Sequence, residues 1–275
     1  FPGNRMRIGA LYNHWVAPEG KRYYAGRRCD VHTFSGVVTD EQKAGRFLLD
    51  AGIRSIGGYI TEWGGFAIEG SATGFQNVAP IADQFAPFEW QAILGASFIR
   101  SSSTSLHYNM AGGTIAPRKG SLTADGISPL TEMRIQHDLG LRIHTEKQDE
   151  FSASMFFTSR KDAIDLSGKT VTTGNNLLME LYENLDKRSY GLEMSAKINI
   201  PALRSGLFAN ALFMKGEKES ANKMMKDRQL PQIILNGGFN FLYAGFDANL
   251  YVNYTGRYWN NRFVNPAWVK QNGDF

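Results

Sequence analysis

Residues 246–258 read FDANLYVNYTGRY, and the stretch alternates. Phe246, Ala248, Leu250, Val252, Tyr254, Gly256 and Tyr258 form one set without a charged side chain. Asp247, Asn249, Tyr251, Asn253, Thr255 and Arg257 form a second set, polar or amphipathic throughout. Successive side chains of a strand point to opposite faces, so this is one strand with an apolar wall and a polar wall. A strand that crosses a bilayer needs about 9–11 residues, whereas strands of soluble proteins commonly run about 5–6. In outer-membrane barrels the apolar wall meets lipid, the polar wall faces the lumen and aromatic residues mark both interfaces. Here aromatics stand at both ends of the apolar wall. A half-buried strand of a soluble antiparallel sheet also alternates, but the length favours the membrane.

The rest of the chain repeats the pattern. In 133–144, Met133, Ile135, His137, Leu139, Leu141 and Ile143 share one face, and Arg134, Gln136, Asp138, Gly140, Arg142 and His144 the other. In 189–200, Tyr190, Leu192, Met194, Ala196, Ile198 and Ile200 alternate against Gly191, Glu193, Ser195, Lys197 and Asn199. Weaker versions occupy 5–15, 88–100, 104–110, 151–158, 207–215 and 231–241. About ten strands are expected. Residues 16–87 lack sustained alternation and read as one long loop insertion. Within it, Ala44, Phe47, Leu48 and Ala51 fall at helical spacing, which predicts a helix over 40–51 behind a Thr39 or Asp40 cap. The connections then alternate long and short along the chain, as in bacterial barrels with short periplasmic turns and longer extracellular loops. A soluble sandwich has no reason for that alternation. The expected fold is all-β, a partial antiparallel transmembrane barrel.

If the apolar faces meet lipid, Arg134, Asp138, Arg142, Glu193, Lys197, Asp247, Asn249, Asn253 and Arg257 face a lumen. An Arg or Lys facing lipid at mid-depth costs about 2–4 kcal/mol, so their placement on the other face fixes the register. Composition agrees. The 275 residues include 29 glycines and 12% aromatics, which suits a sheet protein with many turns and girdles. The net charge of +4 is dispersed, with no basic stripe for nucleic acid. The single cysteine, Cys29, excludes an internal disulfide. The five histidines show no metal-ligand spacing, and no nucleophile elbow or phosphate loop is present, so an enzyme is not expected and neither metal nor cofactor is implied.

Several stretches resemble the barrel of TonB-dependent outer-membrane receptors. YENLDKRSYGLEMSAKINIP (182–201) is similar to that family's strand with a Gly-aliphatic-Glu step, here Gly191, Leu192 and Glu193. TEMRIQHDLGL (131–141), FFTSRKDAI (156–164), LPQIILNGGFNF (230–241) and LYVNYTGRYWN (250–260) follow the family's order and spacing. The resemblance covers 132–260 well and 1–110 loosely. It implies a piece of a larger barrel of about twenty-two strands, with the plug and the TonB-contacting box outside this sequence. It also implies import of a scarce small ligand, such as an iron–siderophore, across outer-membrane lipid, with the TonB complex as energy-coupling partner. On that reading Arg27, Arg28 and His32 attract an anionic ligand or form a solvated basic turn. Trp63 and Phe66 stack on an aromatic ligand or pack the loop's own core. A passive porin and a soluble β-rich binding domain are the alternatives. The soluble domain would bury Phe246, Leu250 and Tyr254.

Overall fold

The computed structural model describes residues 3–17, 28–64, 79–172, 178–201, 204–220, 223–243 and 245–258. Among them the chain forms a single antiparallel sheet of twelve strands. In order these are β1 Asn4–Ala17, β2 Cys29–Ala44, β3 Phe47–Trp63, β4 Ile81–Ile99, β5 Thr104–Ile115, β6 Glu132–His144, β7 Glu150–Thr172, β8 Leu178–Ile200, β9 Ser205–Ser220, β10 Lys223–Lys226, β11 Ile233–Tyr243 and β12 Phe246–Thr255. Each strand pairs with the next, except that β11 pairs with β9 and the short β10 pairs only with the far end of β9. The opening stretch is β12, hydrogen-bonded to β11 from Ile234↔Thr255 to Tyr243↔Phe246. No helix of the described residues is long and apolar enough to cross a membrane.

The expected loop over 16–87 is not a loop. It holds the end of β1, all of β2 and β3 and the start of β4. The expected helix over 40–51 is a hairpin in which Ala44 faces Phe47 across Gly45 and Arg46. Gly45 sits at φ 61°, the position that a two-residue hairpin turn reserves for glycine. The helical spacing of Ala44, Phe47 and Leu48 was a coincidence of two strand ends meeting at a turn. Gly36, Gly52, Gly57 and Gly58 thin out the side-chain alternation in these strands. A missed hairpin removes two strands at once, so the order of long and short connections survived the error.

The connections at 45–46, 100–103, 145–149, 201–204 and 244–245, each of five residues or fewer, lie at one end of the sheet. The other end has the connections of eleven residues or more, at 18–28, 64–80, 116–131 and 221–232 (β10 included), and the five-residue link between β7 and β8. There β7 and β8 run on as a ribbon, with 23 residues each. At about 3.3 Å per residue such strands reach about 75 Å, far more than a bilayer requires.

Opposed residues of an antiparallel ladder share a face, so the registers order the two walls. Phe47, Phe98, Leu106, Leu141, Ala153, Met194, Ala211, Leu235 and Tyr254 stand one opposite the next from β3 to β12. One residue away, the other face carries Ser105, Arg142, Ser152, Ser195, Asn210, Asn236 and Asn253 in the same relation. The apolar wall is open to its surroundings: Leu250 is 69% exposed, Phe246 66% and Tyr254 54%. A soluble sheet would bury them; this wall is built to be wetted by lipid.

Aromatic rings mark both limits of the apolar wall. Towards the long connections, Tyr12 packs on Phe34 with centroids 5.0 Å apart, and Tyr59 meets the Phe85 edge at 5.1 Å. Farther along, Tyr108 contacts His137, whose ring lies 6.4 Å from Phe157, and Tyr190 faces Phe157 on β8. Towards the short turns, Phe47 packs on Phe98 at 5.2 Å and Phe239 on Phe241 at 6.1 Å. His137, the blemish in the apolar face of β6, is therefore a girdle residue, with its Nδ1 2.8 Å from the Tyr108 hydroxyl.

Candidate functional site: the polar wall and its mouth

The polar wall is a surface of mixed charge set by strand parity. Arg134, Asp138, Arg142, Glu193, Lys197, Asp247, Asn249 and Asn253 lie within strands and share one face by register. Asp138 accepts two hydrogen bonds from Gln136, two residues away on the same side of β6. Arg142 and Asn253 belong to the polar row traced above. Glu193 stands between Ser154 and Leu212, and Lys197 between Glu150 and Phe208. Asp247 accepts from Asn249, which faces Asn240. Arg257 lies just past the end of β12.

Nearer the long connections the wall carries a band of cations. Reading across the sheet, Arg54, Gln91, Gly113, Arg134, Arg160, Lys187 and Lys218 oppose one another. Like charges directly opposed repel, and a carboxylate supplied from one rung away compensates the centre of the band. Glu132, whose side chain is 3% exposed, receives Arg160 through Nε and Nη2, both at 2.7 Å. Arg134 donates to the same carboxylate at 3.2 and 3.0 Å. Lys187 pairs with Asp165 at 2.8 Å. The sequence reading found Arg134 but missed its clamp, because β6–β7 register, not local spacing, brings Arg160 to Glu132.

Above the band, connection 116–131 folds back over the sheet. Asn184 of β8 holds it by donating to the Leu130 carbonyl and accepting from the Leu130 amide. Between this segment and the β3–β4 hairpin lies a cavity of about 360 Å³, lined by Trp63, Gln84, Glu89, Arg118 and Lys119 among others. Trp63 packs on Trp15 at 5.7 Å within a small core of Ala17, Cys29, Val31 and Ile60. The Lys119 ammonium sits 5.4 Å from the Trp63 ring centroid, a cation–π distance. Burial pushes the Lys119 amine below the ordinary lysine range, while nearby Glu89 pulls it up. Trp63 thus ends a strand and packs a core, with the cavity alongside, instead of standing on a free loop.

The basic cluster expected near residue 30 has a different arrangement. Arg27 and Phe66 lie outside the described residues. Arg28 and His32 both turn to Asp30: Arg28 donates to Oδ2 at 2.5 Å, and His32 Nε2 lies 3.7 Å from Oδ1. His32 also stacks on His14 and belongs to β2, on the face of the apolar wall. Arg28 is thus paired with a carboxylate of its own chain.

The copper transporter OprC superposes at a TM-score of 0.64 over 91% of this chain, with 15% identity. The iron transporter FrpB of Neisseria meningitidis gives 0.60 over 90%, at 10% identity. The alcaligin outer-membrane receptor FauA of Bordetella pertussis gives 0.54 over 92%, at 13% identity. The fold is that of the barrel wall of TonB-dependent outer-membrane receptors. Outer-membrane β-barrel architecture follows from it. The chain spans 41%, 39% and 47% of those three proteins. No family model matches it, and no curated protein does.

Proposed function

We propose that residues 1–275 form part of one barrel domain of an outer-membrane receptor that imports a scarce small ligand with energy from TonB. The observation that carries this reading is the two-walled meander itself. Along its continuous path every connection at one end has five residues or fewer, and that path superposes on a copper transporter, an iron transporter and an alcaligin receptor. On this reading the polar wall lines the lumen, the long connections face the cell exterior, and Arg134, Asp138, Arg142, Glu193, Lys197, Asp247, Asn249, Asn253 and Arg257 face water or an enclosed plug. The cavity beside Trp63 is where an incoming ligand first meets the chain. Arg118 and Lys119 at its edge, with an indole alongside, suit an anionic, partly aromatic ligand such as a ferric siderophore. The protein acts as a transporter and not as an enzyme.

The test is uptake. The natural full-length protein is restored to a strain lacking it, and radioactive iron is supplied on a panel of siderophores under iron limitation. Accumulation that depends on the protein and stops when the proton gradient is collapsed supports the reading. Protein-dependent entry that continues without the gradient identifies a passive porin instead.

A further inference from the structure

We propose that His14, Asp30 and His32 form a binding site for a borderline divalent transition metal, Zn²⁺ being the probe, on the apolar-wall side of β1 and β2 beyond their aromatic girdle. The three donor groups lie within 4.8 Å of one another. Strand register assembles them. His14 directly opposes His32, Val16 opposes Asp30, and alternation puts all three side chains on one face. The imidazoles stack with centroids 4.2 Å apart and planes 5° from parallel. Asp30 Oδ1 stands between them, 2.8 Å from His14 Nε2 and 3.7 Å from His32 Nε2. Ligands of a tetrahedral ion bound at about 2.05 Å sit about 3.3 Å apart, so the two observed separations bracket the one required. The ion is admitted when one imidazole rotates out of the stack, so that both nitrogen lone pairs converge beside Oδ1.

The surroundings hold the donors in place. The Tyr12 hydroxyl engages His32 Nδ1 at 2.8 Å, which leaves Nε2 to face the carboxylate. Arg28 engages the far oxygen, Oδ2, and so leaves Oδ1 as a monodentate donor. Hydrogen bonds that orient the ligating groups are what metal sites use to fix their geometry. Arg28 brings a positive charge, and Glu62, opposite Asp30 on β3, brings a negative one. The Asp30 side chain is 9% exposed while those of His14 and His32 are 41% and 29% exposed, so the carboxylate forms the floor and the imidazoles the rim. Two imidazole nitrogens and one carboxylate oxygen favour Zn²⁺, Cu²⁺ or Ni²⁺ over the oxygen-seeking Ca²⁺ and Mg²⁺. Water completes the coordination. The site lies on the opposite face of the sheet from the polar wall, so it pins β1 to β2 and stands apart from the proposed ligand path.

The full-length protein in detergent, stripped with EDTA, is titrated with zinc chloride, and bound zinc is counted after desalting. The expected result is one zinc equivalent lost in the double variant H14A/H32A, which keeps its heat-modifiable migration. Equal zinc content in variant and parent overturns the proposal. A second measurement needs no variant. Acylation of histidines by diethylpyrocarbonate is mapped residue by residue with and without zinc. At least fivefold protection of His14 and His32, with His107 and His144 unprotected, supports the site; unchanged labelling of His14 and His32 overturns it.

Discussion

At the scale of single residues, the polar wall depends on one carboxylate. Glu132 holds two guanidiniums that strand register would otherwise leave opposed. Glu132→Gln keeps the shape and removes the charge, leaving Arg134 and Arg160 in mutual repulsion. The expected cost is about 1–3 kcal/mol, since the acceptor is buried but both arginines are partly solvated. It is read as a lower thermal midpoint in micelles, and an unchanged midpoint would mean that the clamp contributes nothing. Lys119 carries the ligand reading. Lys119→Ala should weaken uptake of an anionic ligand about tenfold, the loss of one charge-assisted contact of about 1.5 kcal/mol, with barrel stability held. Uptake unchanged by that substitution would move ligand capture elsewhere on the molecule. Neither residue was marked by the sequence. A lone lysine in a Gly- and Pro-bearing connection carries no period, and Glu132 finds Arg160 only through pairing of two strands. His14, Asp30 and His32 were hidden for a related reason. Once 16–87 is taken as loop, the two-residue spacing of Asp30 and His32 has no face to belong to.

Single strands were more legible than their contacts. β6, β8 and β12 announce themselves because large apolar residues recur at every second position with polar residues between, and no glycine interrupts for long. β3 hid itself because the Gly57–Gly58 pair and a bulge at Ile56/Gly58 break its period. The assignment of faces nevertheless makes a sharp prediction within one strand. Met194 and Ser195 are neighbours in β8, pointing to opposite walls. Met194→Arg puts a guanidinium towards lipid and should cost about 2–4 kcal/mol; Ser195→Arg puts the same group between Ser152 and Asn210 on the polar wall and should cost under about 1 kcal/mol. The folded fraction recovered in lipid vesicles, read by heat-modifiable migration, separates the two. Similar losses from both variants would refute the assignment of the walls. Gly191, two polar-wall positions from Ser195 towards the long connections, is set by packing. A Cβ there would meet the Phe213 carbonyl and lie 2.8 Å from the Phe156 ring. Backbone must then move, and Gly191→Ala should cost about 1–3 kcal/mol through overpacking.

For the whole molecule the decisive quantity is the number of strands on the continuous path. β10 is a spur on β9, so the path from β1 to β12 passes through eleven strands. In an antiparallel meander, strands at odd positions run the same way. The first and the eleventh, β1 and β12, are therefore parallel and cannot close the sheet in an antiparallel ladder. Bacterial single-chain barrels have an even strand number for this reason. Both edges of the described sheet thus need further antiparallel partners, and a bilayer does not tolerate unpaired strand edges. Residues 1–275 produced alone and refolded into micelles should not yield a monomer that resists dodecyl sulfate and shifts on heating, whereas the full-length protein should. The contrast tests the parity argument separately from the faces. A misassigned wall would weaken both species alike, but an odd wall segment fails only when its neighbours are missing. A closed, heat-modifiable monomer from residues 1–275 would require an additional strand from outside the described residues, and the view of this chain as part of a larger barrel would fall.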